Sequence, residues 1–257
     1  MSKRSSWALP YFIFLVLFVV MPLILIVVYS FQDASGHFTL SNITKFFTDK
    51  DSLSTLAVSI EVAIENTALC ILIGYPAAYI LADKSLNKSA VTVVLFIMPM
   101  WVNALMRTLA TAELFNMAGV TLGKGTLLFG MVYDYLPFMI YPIYNVLNKM
   151  DKSYAEAAED LGARPLEVFT KVTLPLSMPG VASGILMVFM PTVSTFAISE
   201  FLTNNKIKLF GTIIQENINN SMWNYGAALS LIMLIIIAIT TVLQGKDTSE
   251  AAAGGAI

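Results

Sequence analysis

Charge is scarce in this 257-residue chain: only 12% of its residues are Asp, Glu, Lys or Arg, about half the share usual for a soluble domain. That scarcity also excludes intrinsic disorder, since disordered chains are polar and charged. Cysteine occurs once, at Cys70. It can form no internal disulfide, and its apolar neighbours Ala68, Leu69, Ile71 and Leu72 point to a packing role. Histidine also occurs once, at His37. A lone histidine in a loop leaves no Ser-His pair inside an apolar segment, no H-E-x-x-H and no Cys/His metal cluster. One aspartate in an apolar run, Asp134, falls short of the two carboxylates an aspartyl mechanism needs. The nearest approach to a phosphate loop, Gly119–Gly125, has the wrong spacing and no Ser or Thr after Lys124. A net charge of −2 is no footprint for nucleic acid. The chain is therefore expected to be non-catalytic, to hold no metal or cofactor of its own, and to leave any ATP hydrolysis to another subunit.

Apolar sequence is abundant instead, with 57% of residues hydrophobic. A water-soluble fold of this size could not bury so much. A helix needs about 20 mostly apolar residues to cross the hydrocarbon core. Long intervals without charge run from Arg4 to Asp33, Lys88 to Arg107, Lys171 to Glu200 and Glu216 to Lys246. Lys124 to Lys149 is interrupted only by Asp134, and the interval from Glu65 to Asp83 can be extended outward through Leu56–Ile64. The pattern predicts an all-α polytopic membrane protein with six spans near 8–30, 56–82, 90–108, 126–147, 180–199 and 226–243. The first apolar region is too long for a cleaved signal peptide and reads as an anchor. Lys and Arg favour a cytoplasmic N-terminus: Lys3, Arg4, Lys84, Lys88, Lys149, Lys152, Arg164, Lys171 and Lys246 fall inside, against Lys45, Lys50, Arg107, Lys124, Lys206 and Lys208 outside. Residues 1–7 and 244–257 are then both cytoplasmic, the latter a small polar tail without apolar periodicity and expected to be disordered. Pro10, Pro22, Pro76, Pro99, Pro137, Pro142 and Pro191 lie in or beside the spans, where each tends to kink its helix.

The longest inner loop, 148–179, carries the most specific pattern. Ser153 and Glu156 have capping-box spacing, which predicts a helix starting at Tyr154. Gly162 can end it in the left-handed conformation, Pro165 suits the first turn of a second helix, and Pro175 is expected to stop that one. The first helix is about two turns long, too short to hold together alone in water. It places Tyr154, Ala158 and Leu161 on one face. Physics alone leaves two readings open, a connector on the membrane surface or a helix docked in a partner's groove.

Glu156-Ala157-Ala158, three residues, Gly162, nine residues, then Val172-Thr173-Leu174-Pro175 resembles the EAA loop of binding-protein-dependent ABC importer permeases, where isoleucine usually stands at Val172. The resemblance implies the type I ABC importer permease fold. It also implies a coupling helix held by an ATPase, with Tyr154, Glu156, Ala157, Ala158, Leu161, Gly162, Leu174 and Pro175 at the contact. Met21-Pro22-Leu23, Gly74–Ala82, Met98–Trp101, Arg107-Thr108, Val132–Met139 and Ser199-Glu200-Phe201 resemble segments of the spermidine/putrescine permeases of the B type. Some of these segments are shared with permeases for iron, sulfate and phosphonate-like solutes, which remain the alternative, ahead of an intramembrane enzyme or a stand-alone channel. The family implies a second, different permease, two ATPase subunits carrying ATP and Mg, an extracytoplasmic polyamine-binding protein, and a bacterial plasma (inner) membrane.

A polyamine path should offer carboxylates and aromatic faces. Asp134, between Tyr133 and Tyr135, is either such a path residue or the partner of an internal polar group. Glu200 is either a path residue or a solvated helix end, and Trp101 either a gate or part of an interfacial belt. Glu61 and Glu65 share a helix face and are expected to be solvated in an outer vestibule. Arg107 is expected to snorkel outward or to meet the binding protein.

Overall fold

The computed structural model describes residues 9–87 and 89–254. The short N-terminal segment, Lys88 and the last three residues lie outside the described residues, so the expectations for Lys3, Arg4 and Lys88 are not addressed by it. Helices account for nearly everything else: among the described residues the only β pairing is an isolated bridge between Gln32 and Phe38. In chain order they are α1 (Pro10–Ser30), α2 (Ser41–Thr48), α3 (Lys50–Ala82), α4 (Ala90–Ile97), α5 (Ala104–Met117) and α6 (Lys124–Lys149). There follow α7 (Ser153–Asp160), α8 (Pro165–Ser194), α9 (Ala197–Thr203), α10 (Phe210–Asn219) and α11 (Trp223–Gly254).

Five of these are long and apolar enough to cross a membrane: α1, α3, α6, α8 and the Trp223–Val242 part of α11. The third expected span is not one helix. It breaks into α4, a 3-10 turn at Met98–Trp101, and α5, with a bend of 91° between the two halves. Pro99 withholds a backbone donor, and Val102 and Asn103 are extended (ψ 136° and 123°). Asn103 Oδ1 then accepts the N–H groups of Leu105 and Met106 at 2.9 and 3.4 Å, which starts α5 in a new direction.

Pro175 does not stop a helix. A π-turn at Phe169–Thr173 leads into an α-helical stretch beginning at Leu174. The same device precedes Pro22, where a π-turn at Val16–Val20 leads into Met21–Ser30. In both places the ring sits at the second residue after the wide turn, where its missing N–H falls among the first-turn donors of the next α stretch. The fifth span accordingly begins well before residue 180. It ends at Ser194, where Thr195 is extended (ψ 145°) and the chain restarts as α9. At the other terminus α11 runs on to Gly254, through most of the segment expected to lack structure.

Three helices, α3, α6 and α8, form the centre. Cys70, Tyr75 and Ala78 meet Met139, Ile140 and Ile143, and Val181 and Val188 close the cluster. Cys70 thus has the packing role its neighbours implied. The seam between α6 and α8 is close because α8 carries glycine there. A Cβ at Gly180 would lie 3.0 Å from both the Ile143 Cα and the Pro142 carbonyl oxygen, and one at Gly184 would lie 2.6 Å from Met139 Sδ. Small residues let helix backbones approach where lipid offers no hydrophobic drive to associate. Polar contacts lock the register: Asn66 Nδ2 donates to Thr192 Oγ1 at 2.8 Å, and the Tyr75 and Ser177 hydroxyls are 2.8 Å apart. A second cluster at the other end joins Val62, Leu127 and Met131 to Ile198 and Leu202 of α9. None of the apolar window of α1 is buried within the chain.

Gly180→Leu is expected to force α6 and α8 apart at a cost of about 1–3 kcal/mol. A fall in the thermal unfolding midpoint of the purified permease would register it, and an unchanged midpoint would show that the seam yields.

Candidate functional site

Two places carry the polar chemistry expected from the sequence. The first is the loop around α7. Its helix starts one residue earlier than the capping-box spacing predicts, and the cap is a different residue. The Asp151 carboxylate accepts the Ser153 N–H at 3.0 Å, which holds Asp151 below the usual aspartate range. The end matches expectation. Gly162 takes φ +83°, its N–H donates to the Glu159 carbonyl at 2.8 Å, and the Ala163 N–H donates to the Ala158 carbonyl at 3.1 Å. That pair of hydrogen bonds is the Schellman ending, and it turns the chain sharply at Gly162. Glu167 then accepts the Arg164 N–H at 3.0 Å, so α8 starts at once with Pro165 in its first turn.

Phe169 and Leu174 pack the loop against the central cluster, and Val168 is buried. Phe169 sets its ring edge-on against Tyr75 and Tyr79, with centroids 5.8 and 5.6 Å away. By contrast α7 buries none of its residues. Tyr154 is 58% exposed, Leu161 90% and, at the start of α8, Leu166 73%. Ala158 is half-buried, while Glu156, Ala157, Gly162 and Pro175 are exposed and Leu174 is half-buried. A cleft of about 480 Å³ separates α7 from the helix ends, lined by Tyr79, Asp83, Lys84, Asp151, Glu156 and Glu159 among others. The loop is therefore a rigidly terminated helix with its apolar side chains turned outward.

The second place lies within the bundle. Asp134 is 1% exposed, and its partner is Arg107, 7% exposed, which the bend of the third span carries inward against α6. Arg107 Nη2 lies 3.1 Å from Asp134 Oδ1 and donates to the Asp134 main-chain oxygen at 3.3 Å. Thr108 Oγ1 donates to the other carboxylate oxygen at 3.0 Å. The guanidinium carbon lies 5.4 Å from the centre of the Tyr133 ring. The expectation that Arg107 snorkels outward is thus corrected: a buried carboxylate nearby offers more than a distant water surface. An internal partner for Asp134 was one of the two readings left open, and the cation of this same chain supplies it. The sequence did hold a signal: Arg107 and Asp134 are isolated opposite charges on consecutive apolar segments.

The other sequence-derived path residues do not gather here. Tyr135 is half-buried and packs near Phe138. Trp101 is 80% exposed at the break in the third span. Glu200 is exposed on α9, beside a small recess shared with Thr212 and Gln215. Glu61 and Glu65 are not simply solvated; both accept from Lys124 Nζ, at 2.7 and 2.8 Å. All three side chains stay partly exposed, so the clamp adds little stability. Lys124 and Glu61 line a polar cleft of about 850 Å³ at the end of the bundle away from α7, together with Asp49, Lys208 and Glu216.

Residues 52–245 match the sequence model of the family described as binding-protein-dependent transport system inner membrane component, and this chain belongs to that family. It is 34% identical over 249 residues to the spermidine/putrescine transport system permease protein PotB of Escherichia coli (strain K12), covering 88% of this chain and 90% of that protein. The PotB homolog of Mycoplasma pneumoniae is 27% identical over 238 residues, covering 88% of this chain and 79% of that one. Among solved structures, a chain of the bacterial ABC transporter that imports the acidic polysaccharide alginate superposes with a TM-score of 0.69 at 19% identity, covering 96% of this chain and 98% of that one. The inward-facing MetNI methionine ABC transporter gives 0.63 at 13%, covering 77% and 95%. The fold is that of type I ABC importer permeases, and the chain is a multi-pass, non-catalytic membrane component of a transporter.

The cap of α7 predicts a pH dependence. Asp151 has a lowered folded-state value, so its contribution is complete above the ordinary aspartate range, about 3.9, and is lost as pH falls through the lowered value. Hydrogen exchange at the Ser153–Glu156 amides, corrected for intrinsic rates, is expected to show this helix start fraying only in that acid range. In Asp151→Asn the acid-induced step should vanish.

Proposed function

We propose that the chain is one of two different permease subunits of an ATP-driven polyamine importer. The α7 end and both termini face the cytoplasm, and α7 docks in a groove of an ATPase subunit that carries ATP and Mg. A second permease completes the pore, and an extracytoplasmic binding protein delivers spermidine or putrescine to the opposite end. The observation that carries the docking reading is the exposure of Tyr154, Leu161 and Leu166 around the Schellman turn at Gly162. Apolar groups of that size on a two-turn helix in water are unfavourable unless a partner covers them. The Phe169 anchor between Tyr75 and Tyr79 gives a displaced α7 a lever onto α3 and α8. Similarity to the polyamine permeases over most of the chain supports the choice of solute.

Ala158→Trp and Gly162→Pro test it in the assembled importer. The first fills the half-buried face of the helix, and the second imposes a negative φ where +83° is required. Both variants are expected to reach the membrane, and spermidine capture by the binding protein is unaffected. Uptake should fall at least about tenfold, equivalent to roughly 1.4 kcal/mol of lost coupling. Wild-type uptake by either variant would remove the docking role.

A further inference from the structure

We propose that Arg107 is an internal substitute for the ammonium group of the solute: it occupies Asp134 while the pathway is empty and gives way when a polyamine nitrogen takes its place. This rests on the polyamine reading above.

The pair sits deep in the bundle. Asp134 lies ten residues into the 26-residue α6 from Lys124, about 15 Å along the helix at 1.5 Å per residue. A pair built for permanence would use the guanidinium fork on both carboxylate oxygens. Here a single nitrogen, Nη2, reaches one oxygen, while the buried Nε and Nη1 of Arg107 have no hydrogen-bond partner. Buried donors left unmatched make the arrangement easy to leave. The second oxygen faces Thr108 Oγ1 at 3.0 Å, whose single proton is shared with the Ala104 carbonyl at 2.9 Å.

Room for the departure lies alongside. Arg107 lines a cleft of about 540 Å³ whose other walls are Val102, Met106, Leu114, Phe129 and Tyr133 among others. Tyr133 offers a displaced cation its ring face. The break between Met98 and Asn103 stands directly before the element carrying Arg107, where a change of angle needs no helix to be bent further. A polyamine carries donors and positive charge but no acceptor at neutral pH, so it cannot bridge to Arg107 and must compete with it for Asp134. While paired, Arg107 presents a neutral site to an approaching polycation. Arg107 is in this sense a positioning residue that sets access to the carboxylate.

The test uses the complete importer reconstituted in lipid with its ATPase, second permease and binding protein, comparing wild type with Arg107→Gln, Asp134→Asn and the double variant. Spermidine uptake and equilibrium binding of labelled spermidine to the permease–ATPase complex are both measured. Arg107→Gln is expected to bind spermidine about tenfold more tightly, because no internal cation competes. Asp134→Asn and the double variant should assemble without binding or uptake. A purely structural pair behaves otherwise: the two single changes are equally damaging and the double variant recovers wild-type uptake. Either of those results overturns the proposal. If Arg107→Gln does not assemble, the double variant decides by itself, since it leaves no buried charge unpaired. A wild-type complex that moves no spermidine refutes the polyamine reading and this competition with it, before any variant is examined.

Discussion

Water is absent from the hydrocarbon core, and every backbone donor and acceptor there must find its partner within the protein. The irregular features of the chain follow from that constraint. Pro22 and Pro175 each remove a donor inside a crossing, and each is preceded by a π-turn that moves the deficit to the first turn of a new α stretch. Pro99 is handled differently, by a 3-10 turn and a fresh start capped by Asn103. Pro76, Pro137, Pro142, Pro179 and Pro191 lie inside continuous helices, so proline alone does not interrupt a crossing. The interruption before α5 is what brings Arg107 inside.

The same constraint governs the side chains. Polar groups in the bundle are paired across helices, as with Asn66 and Thr192 or Tyr75 and Ser177. Glycine at 180 and 184 lets the helices come near enough for such pairs and for dispersion contacts to count. Among the described residues five buried side-chain atoms have no hydrogen-bond partner, and three of them, Arg107 Nε and Nη1 and Asp134 Oδ1, belong to this one pair. At the α7 end the contrast is reversed: a helix sharply ended at Gly162 leaves its apolar side chains in the open. One end of the molecule thus leaves apolar side chains in the open, and the middle holds a charge pair that is incompletely matched.

Apolar run length and the near absence of charge determined the class, the helical architecture and the rough position of the crossings, because a helix in lipid is specified by local composition alone. The turn at Gly162 was equally legible, since only glycine takes φ +83° without strain. Three things were decided by tertiary structure. The third crossing is bent by 91° at Pro99 and Asn103, and hydropathy, which reads apolar length, does not record the angle. The oxygen at the start of α7 comes from Asp151, which accepts the Ser153 N–H, rather than from Ser153, because the helix already includes Ser153. Arg107 turns inward because Asp134, on a different helix, makes burial of its charge tolerable. Sequence spacing reports which residues share a helix face; which charge on another helix lies opposite is fixed only when the helices pack.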